Sequence, residues 1–173
     1  MSNRRWSAET ITRLSMLIAL AIALSDLESL IPVVIPVAPG VKMGLSNIVT
    51  MFCLYSVNPA AAFVIAVLKG GFAFLTRGFT AGVLSTCGGV LSVCVLWLGS
   101  KTKLSTGMCS VLGAVTHNVT QLLVETLLIR NRAVLAFFPA LVLGGILCGT
   151  LTAFLLKILL PLIQKAVFTK NSY

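Results

Sequence analysis

The sequence predicts an all-α membrane protein, a bundle of six transmembrane helices with both termini in the cytoplasm. Three observations carry this. Of the 173 residues, 58% are hydrophobic and only 10% charged, whereas soluble domains are about half apolar and a quarter charged; the mean hydropathy is +1.05. Apolar runs near the ~20 residues that one crossing takes recur along the chain, leaving short connectors and a single membrane domain, residues 1–173, with no soluble domain. The basic residues behind the formal charge of +9 lie mostly at the ends of these runs, where topology signals belong. In a soluble protein that charge would suggest nucleic acid, but no exposed basic face exists here to carry phosphates.

The first helix is placed at residues 12–31, after a short polar start carrying Arg4 and Arg5. A signal peptide is the rival reading. The run is longer than a typical signal core and is interrupted near its far end by Asp26 and Glu28, so it reads as a span with its amino end in the cytoplasm. Ile31 to Gly40, IPVVIPVAPG, holds three prolines that remove backbone donors and keep the chain extended. So greasy a loop either folds back over a cavity as a lid or dips into the headgroups. Lys42 follows, at the start of the second span.

Helix two, at 44–57 with Asn47 in its first turn, is short for a full crossing. Asn58-Pro59 makes a reversal and places proline at the first position of helix three, 59–76, which contains Lys69-Gly70-Gly71 and ends at Arg77-Gly78. Helix four, 80–99, is uncharged and rich in the small residues that let membrane helices approach closely. Helix five covers 106–129 and closes with Arg130 and Arg132. The remaining apolar stretch is too long for one straight span, so helix six is placed at 139–163, after a short interfacial piece bearing Phe137 and Phe138.

Six spans put both termini on one side. That side holds Arg4, Arg5, Arg13, Lys101, Lys103, Lys165 and Lys170, against Lys42, Arg77, Arg130 and Arg132 opposite, which favours cytoplasmic termini.

Within helix five, THNVTQLLVE places His117, Gln121 and Glu125 at i, i+4 and i+8, one stripe on a helix, with Asn118 beside it. Burying such groups in hydrocarbon without partners costs several kcal/mol each, so the stripe must face other helices, water or a bound molecule. At ~1.5 Å per residue, Glu125, Gln121 and His117 lie about 6, 12 and 18 Å from the outer end. Asp26, Glu28, Asn47 and Lys69 also fall in the outer half of their helices, and the inner half has almost nothing comparable. This is the distribution of an outward-opening pocket with a polar wall and an apolar floor. The bland alternative is that Asp26 and Arg77 snorkel to the headgroups.

Ala19-x-x-x-Ala23, Ala62-x-x-x-Ala66, Gly78-x-x-x-Gly82 and Gly145-x-x-x-Gly149 are close-packing patterns. The first two are candidates for docking a partner, although such pairs more often pack within one bundle. Cys53, Cys87, Cys94, Cys109 and Cys148 form no C-x-x-C pair or metal-ligand spacing and read as small membrane residues. Apart from Tyr55 and Trp97, no Trp or Tyr lies between residues 7 and 172, which argues against an aromatic stacking cage. No cofactor is expected.

The segment LSDLESLIPVVIPVAPGVKMGLSNIVT, the Lys69-Gly-Gly region, the Ser-x-x-Gly-Gly of Ser85 to Gly89 and HNVTQLL from His117 resemble, in order, the Gx transporter family, also labelled heptaprenyl diphosphate synthase component I. The resemblance spans about Leu14 to Leu160. It implies a fold like the S components of energy-coupling factor transporters, six-helix bundles that bind a vitamin or other micronutrient near the outer surface of the bacterial cytoplasmic membrane. It also implies partners: a transmembrane coupling protein and two ATPases, with toppling in the membrane to release cargo. The Ala19 and Ala23 pattern is similar to the coupling contact of that group. Carried over by motif, Glu28, Lys42, Asn47, His117, Asn118 and Gln121 are the substrate-binding candidates; Lys69 stands where the family usually has Arg, and Glu125 where a small or apolar residue is usual. The synthase label meets an obstacle in the residues, because prenyl diphosphate chemistry needs carboxylate clusters to hold magnesium and Asp26 is the only aspartate. With no P-loop and no Ser-His-acid set, the chain is read as a binding and translocation subunit for a small molecule, not an enzyme. A non-catalytic subunit assisting a prenyl synthase is the alternative.

Overall fold

Caps and turn residues set the helix ends. In the computed structural model, which describes residues 8–30 and 45–168, the helices are α1 (Ala8–Leu30), α2 (Leu45–Ser56), α3 (Pro59–Arg77), α4 (Phe79–Ser100), α5 (Thr106–Ile129) and α6 (Phe138–Phe168). The proline-rich segment and Lys42 lie outside the described residues. Asn58 caps α3 by accepting the Ala61 N–H at 2.7 Å, with Pro59 in the first position, where its missing N–H is no loss. Gly78, at φ +88°, adopts a backbone that a side chain would resist, and it alone separates α3 from α4. Phe74 and Phe79 meet edge to face across that turn, centroids 5.3 Å apart.

Ser105 caps α5 by accepting the Met108 N–H at 3.2 Å. At the far end Arg130 takes a left-handed backbone, φ 54°, as the C-cap, and places a cation where the helix dipole is negative. The expected interfacial piece is a 3-10 helix, Arg132–Phe137, capped by Asn131 accepting the Ala133 N–H at 2.9 Å. Two helices run longer than the sequence suggests: α1 begins at Ala8, and α6 continues through Pro161 to Phe168.

Successive helices pack against one another, and α2 also touches α4 and α6, which makes it the centre of the bundle. Every residue from Ile48 to Leu54 is buried. Because its neighbours cover it on all sides, α2 needs no polar face, and 12 residues suffice. Among the described residues, four helical stretches are long and apolar enough to cross a membrane: α3, α4, α5 and Arg132–Ile158. The outside of the bundle is apolar: Leu75 is 87% exposed, Leu127 76% and Met16 70%. Such a surface suits lipid and not water.

Small residues hold the helices together. A Cβ on Gly149 would lie 2.6 Å from the Val111 Cα, and one on Gly145 would lie 2.9 Å from the Val115 Cα, so α6 rests directly on the α5 backbone. Ser110 Oγ donates to the Gly149 carbonyl at 2.8 Å, and Ser92 Oγ to the Gly113 carbonyl at 2.9 Å. Ala62 and Ala66 are buried in the core, so their pattern serves packing within the bundle, whereas Ala19 and Ala23 are exposed on α1. The main core, with Met51, Phe52, Ala62, Val93, Leu96, Cys109 and Leu156, fills the end of the bundle where α4 finishes and α5 begins. Leu14, Ala21, Val49, Cys53 and Ile65 extend it onto α1. Polar side chains gather at the other end.

Candidate solute-binding site

All six helices send a residue to one buried cavity. Ser25 and Glu28 come from the last turns of α1, Ser46 and Asn47 from the first turn of α2, Lys69 from α3 and Ser85 from α4. Ala114, His117 and Asn118 come from α5, and Cys148 from α6. Nine of these ten side chains carry a heteroatom able to hydrogen-bond, and Ala114 is the tenth.

The centre is a chain of charge-assisted hydrogen bonds. The Ser46 N–H, in the first turn of α2 where a helix leaves donors without intrahelical partners, donates to Glu28 Oε1 at 3.3 Å. Ser46 Oγ donates to Glu28 Oε2 at 3.3 Å and accepts from Lys69 Nζ at 3.1 Å. Lys69 Nζ also donates to Asn47 Oδ1 at 3.2 Å. One hydroxyl therefore stands between a carboxylate and an ammonium that are both about 95% buried. The positive end of the α2 dipole adds to the stabilisation of Glu28. A charge so placed persists only where it is compensated, and here the compensation joins α1, α2 and α3.

On the facing side Asn118 Nδ2 donates to the Leu141 carbonyl at 3.1 Å, which fixes its amide against α6. His117 packs on α4 at Gly88, where a Cβ would lie 2.9 Å from the imidazole Nδ1 and 3.1 Å from Gln121 Cγ. A glycine there is what lets both side chains lie against α4. Above Ser25, Arg77 donates to its hydroxyl at 3.4 Å. The cavity enclosed by these groups is about 10 Å³, room for about one water.

Of the residues expected to bind substrate, Glu28, Asn47, Lys69, His117 and Asn118 line the cavity together. Gln121 is half-buried beside His117 without lining it, and Glu125, one turn further toward the end of α5, is half-buried and also apart. Lys42 lies outside the described residues. The sequence reading missed Ser25, Ser46, Ser85 and Cys148. Ser46 is next to Asn47, and Ser85 opens the Ser-x-x-Gly-Gly motif, but a serine in a membrane helix more often serves packing, and nothing local separates the two uses. Among the described residues no group of three or more His, Cys, Asp or Glu side chains is arranged to hold a metal ion.

The fold is similar to that of a solved S component of a bacterial ECF transporter, with a TM-score of 0.59 over 94% of this chain and 97% of that one, at 15% sequence identity. At that identity the likeness is one of fold. No curated protein matches the sequence. Residues 17–159, the greater part of the chain, match the sequence profile of heptaprenyl diphosphate synthase component I, and the chain belongs to that family.

Proposed function

We propose that this protein is the solute-binding membrane subunit of an importer of the energy-coupling factor type, taking up a small polar molecule such as a vitamin or other micronutrient. In this reading all six helices span the bacterial cytoplasmic membrane with both termini inside, and the cavity lies in the outer half. One observation carries the proposal: a carboxylate, an ammonium, an imidazole and two amides, from helices spread along the whole chain, gather around one space, all buried but the half-buried Asn47, while among the described residues the buried polar side chains of the other half are hydroxyls. A bundle needing only stability would do better with apolar residues in those positions. Glu28, Asn47, Lys69, His117 and Asn118 hold the solute, with Gln121 fixing the imidazole against α4. Glu125, further along α5, and Lys42, by its sequence motif, complete the substrate-binding set. The sequence carries no P-loop, so in this reading a transmembrane coupling protein and two ATPases supply the energy, and the exposed Ala19 and Ala23 on α1 give the coupling protein a surface for close approach.

The test is uptake. Cells expressing the protein with an energising module accumulate a defined small molecule from the medium, and His117→Ala or Gln121→Ala abolishes accumulation while the protein remains folded in the membrane. Accumulation unchanged in both variants rejects the proposal. The family's description favours a second reading, a non-catalytic membrane subunit that assists a prenyl diphosphate synthase. Co-purification with such a synthase, together with a change in its product length, would select that reading.

A further inference from the structure

A groove of about 440 Å³ opens on the outside of the bundle between α5 and α6, and it shares no lining residue with the solute cavity. Its walls include Ser105, Gly107, Met108 and Leu112 of α5 and Thr150 and Ala153 of α6. Gly145 and Gly149 pin the two helices backbone to backbone, and beyond that contact, toward the amino end of α5, they leave this space. Its lining is mostly apolar, and three lysines stand near its lining residues along the chain. Lys101 and Lys103 lie four and two residues before Ser105, and both are exposed. Lys101 Nζ sits 4.3 Å from the centre of the Trp97 ring, an indole at the end of its helix, where such rings mark the headgroup level. Lys157, one turn beyond Ala153 on the same face of α6, is also exposed, and its stem is long enough to bring the ammonium to that level. The first turn of α5 adds backbone N–H donors and the positive end of a helix dipole. Asp26, Glu28 and Glu125 are all at the opposite end of the bundle, and the fourth acidic residue, Glu9, belongs to the first turn of α1, a helix that does not line this groove.

We propose that this groove binds an anionic phospholipid, with one acyl chain lying between α5 and α6 and the headgroup phosphate held by Lys101, Lys103 and Lys157 over the amino end of α5. A partner helix does not suit the space. At about 10 Å across and 5.4 Å per turn, a helix would place only about one turn in 440 Å³. The site is independent of the solute cavity and of the transport reading.

Native mass spectrometry of the purified full-length protein, equilibrated with equal amounts of phosphatidylglycerol and phosphatidylcholine of the same chain length, tests it. Phosphatidylglycerol is retained in preference. The combined variant Lys101→Ala, Lys103→Ala and Lys157→Ala reduces that preference by about fivefold for each lysine that contacts the phosphate. Gly107→Leu adds bulk to the groove wall at a position where a Cβ meets only Ser105 Oγ, at 3.8 Å, and it removes adducts of both lipids. Equal retention of the two lipids by the wild type overturns the proposal. So does a preference that survives the triple lysine variant, an adduct that Gly107→Leu leaves intact, or a protein chain crosslinked at Met108→Cys with no phospholipid retained.

Discussion

Replacing Lys69 by Met tests the buried hydrogen-bond chain directly. The ammonium is 4% exposed and donates to Ser46 Oγ and Asn47 Oδ1, while the Glu28 carboxylate depends on the same Ser46 for two of its bonds. Lys69→Met leaves Glu28 charged, buried and without the cation that the serine hydroxyl connects it to. Breaking a buried pair by removing one partner costs about 3–5 kcal/mol, because the remaining charge keeps its desolvation penalty. For a chain of this length that is a fall of about 6–20 °C in Tm, at about 2–4 °C per kcal/mol. The double variant Glu28→Gln and Lys69→Met removes both charges and keeps their approximate shapes, so most of the loss is recovered. Thermal unfolding of both variants in one detergent gives the coupling. If Lys69→Met melts with the wild type, or if the double variant melts as low as the single one, the two charges do not compensate each other and the argument from Ser46 fails.

Two further results follow from helix packing. Gly149→Ala sets a methyl carbon 2.6 Å from the Val111 Cα, where backbone cannot yield, and overpacking of this kind costs about 1–3 kcal/mol; Gly71→Ala, with nothing within 4 Å, is neutral or gains up to about 1 kcal/mol of helix propensity. Equal melting temperatures for these two variants would refute the α5–α6 contact. Ala19→Leu with Ala23→Leu changes only exposed positions on α1, so stability stays within about 0.5 kcal/mol while co-purification of a coupling protein falls. Undiminished co-purification would show that this face is not the docking surface.

The sequence announces its helices well because their ends carry local chemistry. Asn58-Pro59, Ser105 and Gly78 act through their own backbone neighbourhoods, and each lies at a helix boundary in the structure. The shortness of α2 is visible in the sequence but its reason is not. Burial from Ile48 to Leu54 depends on α1, α3, α4 and α6 closing around it, and a uniformly apolar stretch reads the same whether lipid or protein covers it. The site divides along the same line. A charge or imidazole in hydrocarbon is conspicuous, so Glu28, Lys69 and His117 stand out from composition alone. Ser25, Ser46, Ser85 and Cys148 become part of the cavity only through the faces their helices present, and serine elsewhere in this bundle, at Ser92 and Ser110, ties helices together instead. Helical spacing aligned Gln121 and Glu125 with His117, but periodicity gives a direction and not a depth. On α5 the cavity ends at Asn118, and Gln121 and Glu125 lie beyond it.

Native mass spectrometry of the 18.3 kDa protein after exposure to a cell extract tests the central claim most directly. The wild type carries a small polar molecule at one-to-one stoichiometry, and His117→Ala, equally helical by circular dichroism, does not. A wild-type protein that emerges bare, or a molecule held as firmly by His117→Ala, would mean that the buried polar groups serve the bundle alone.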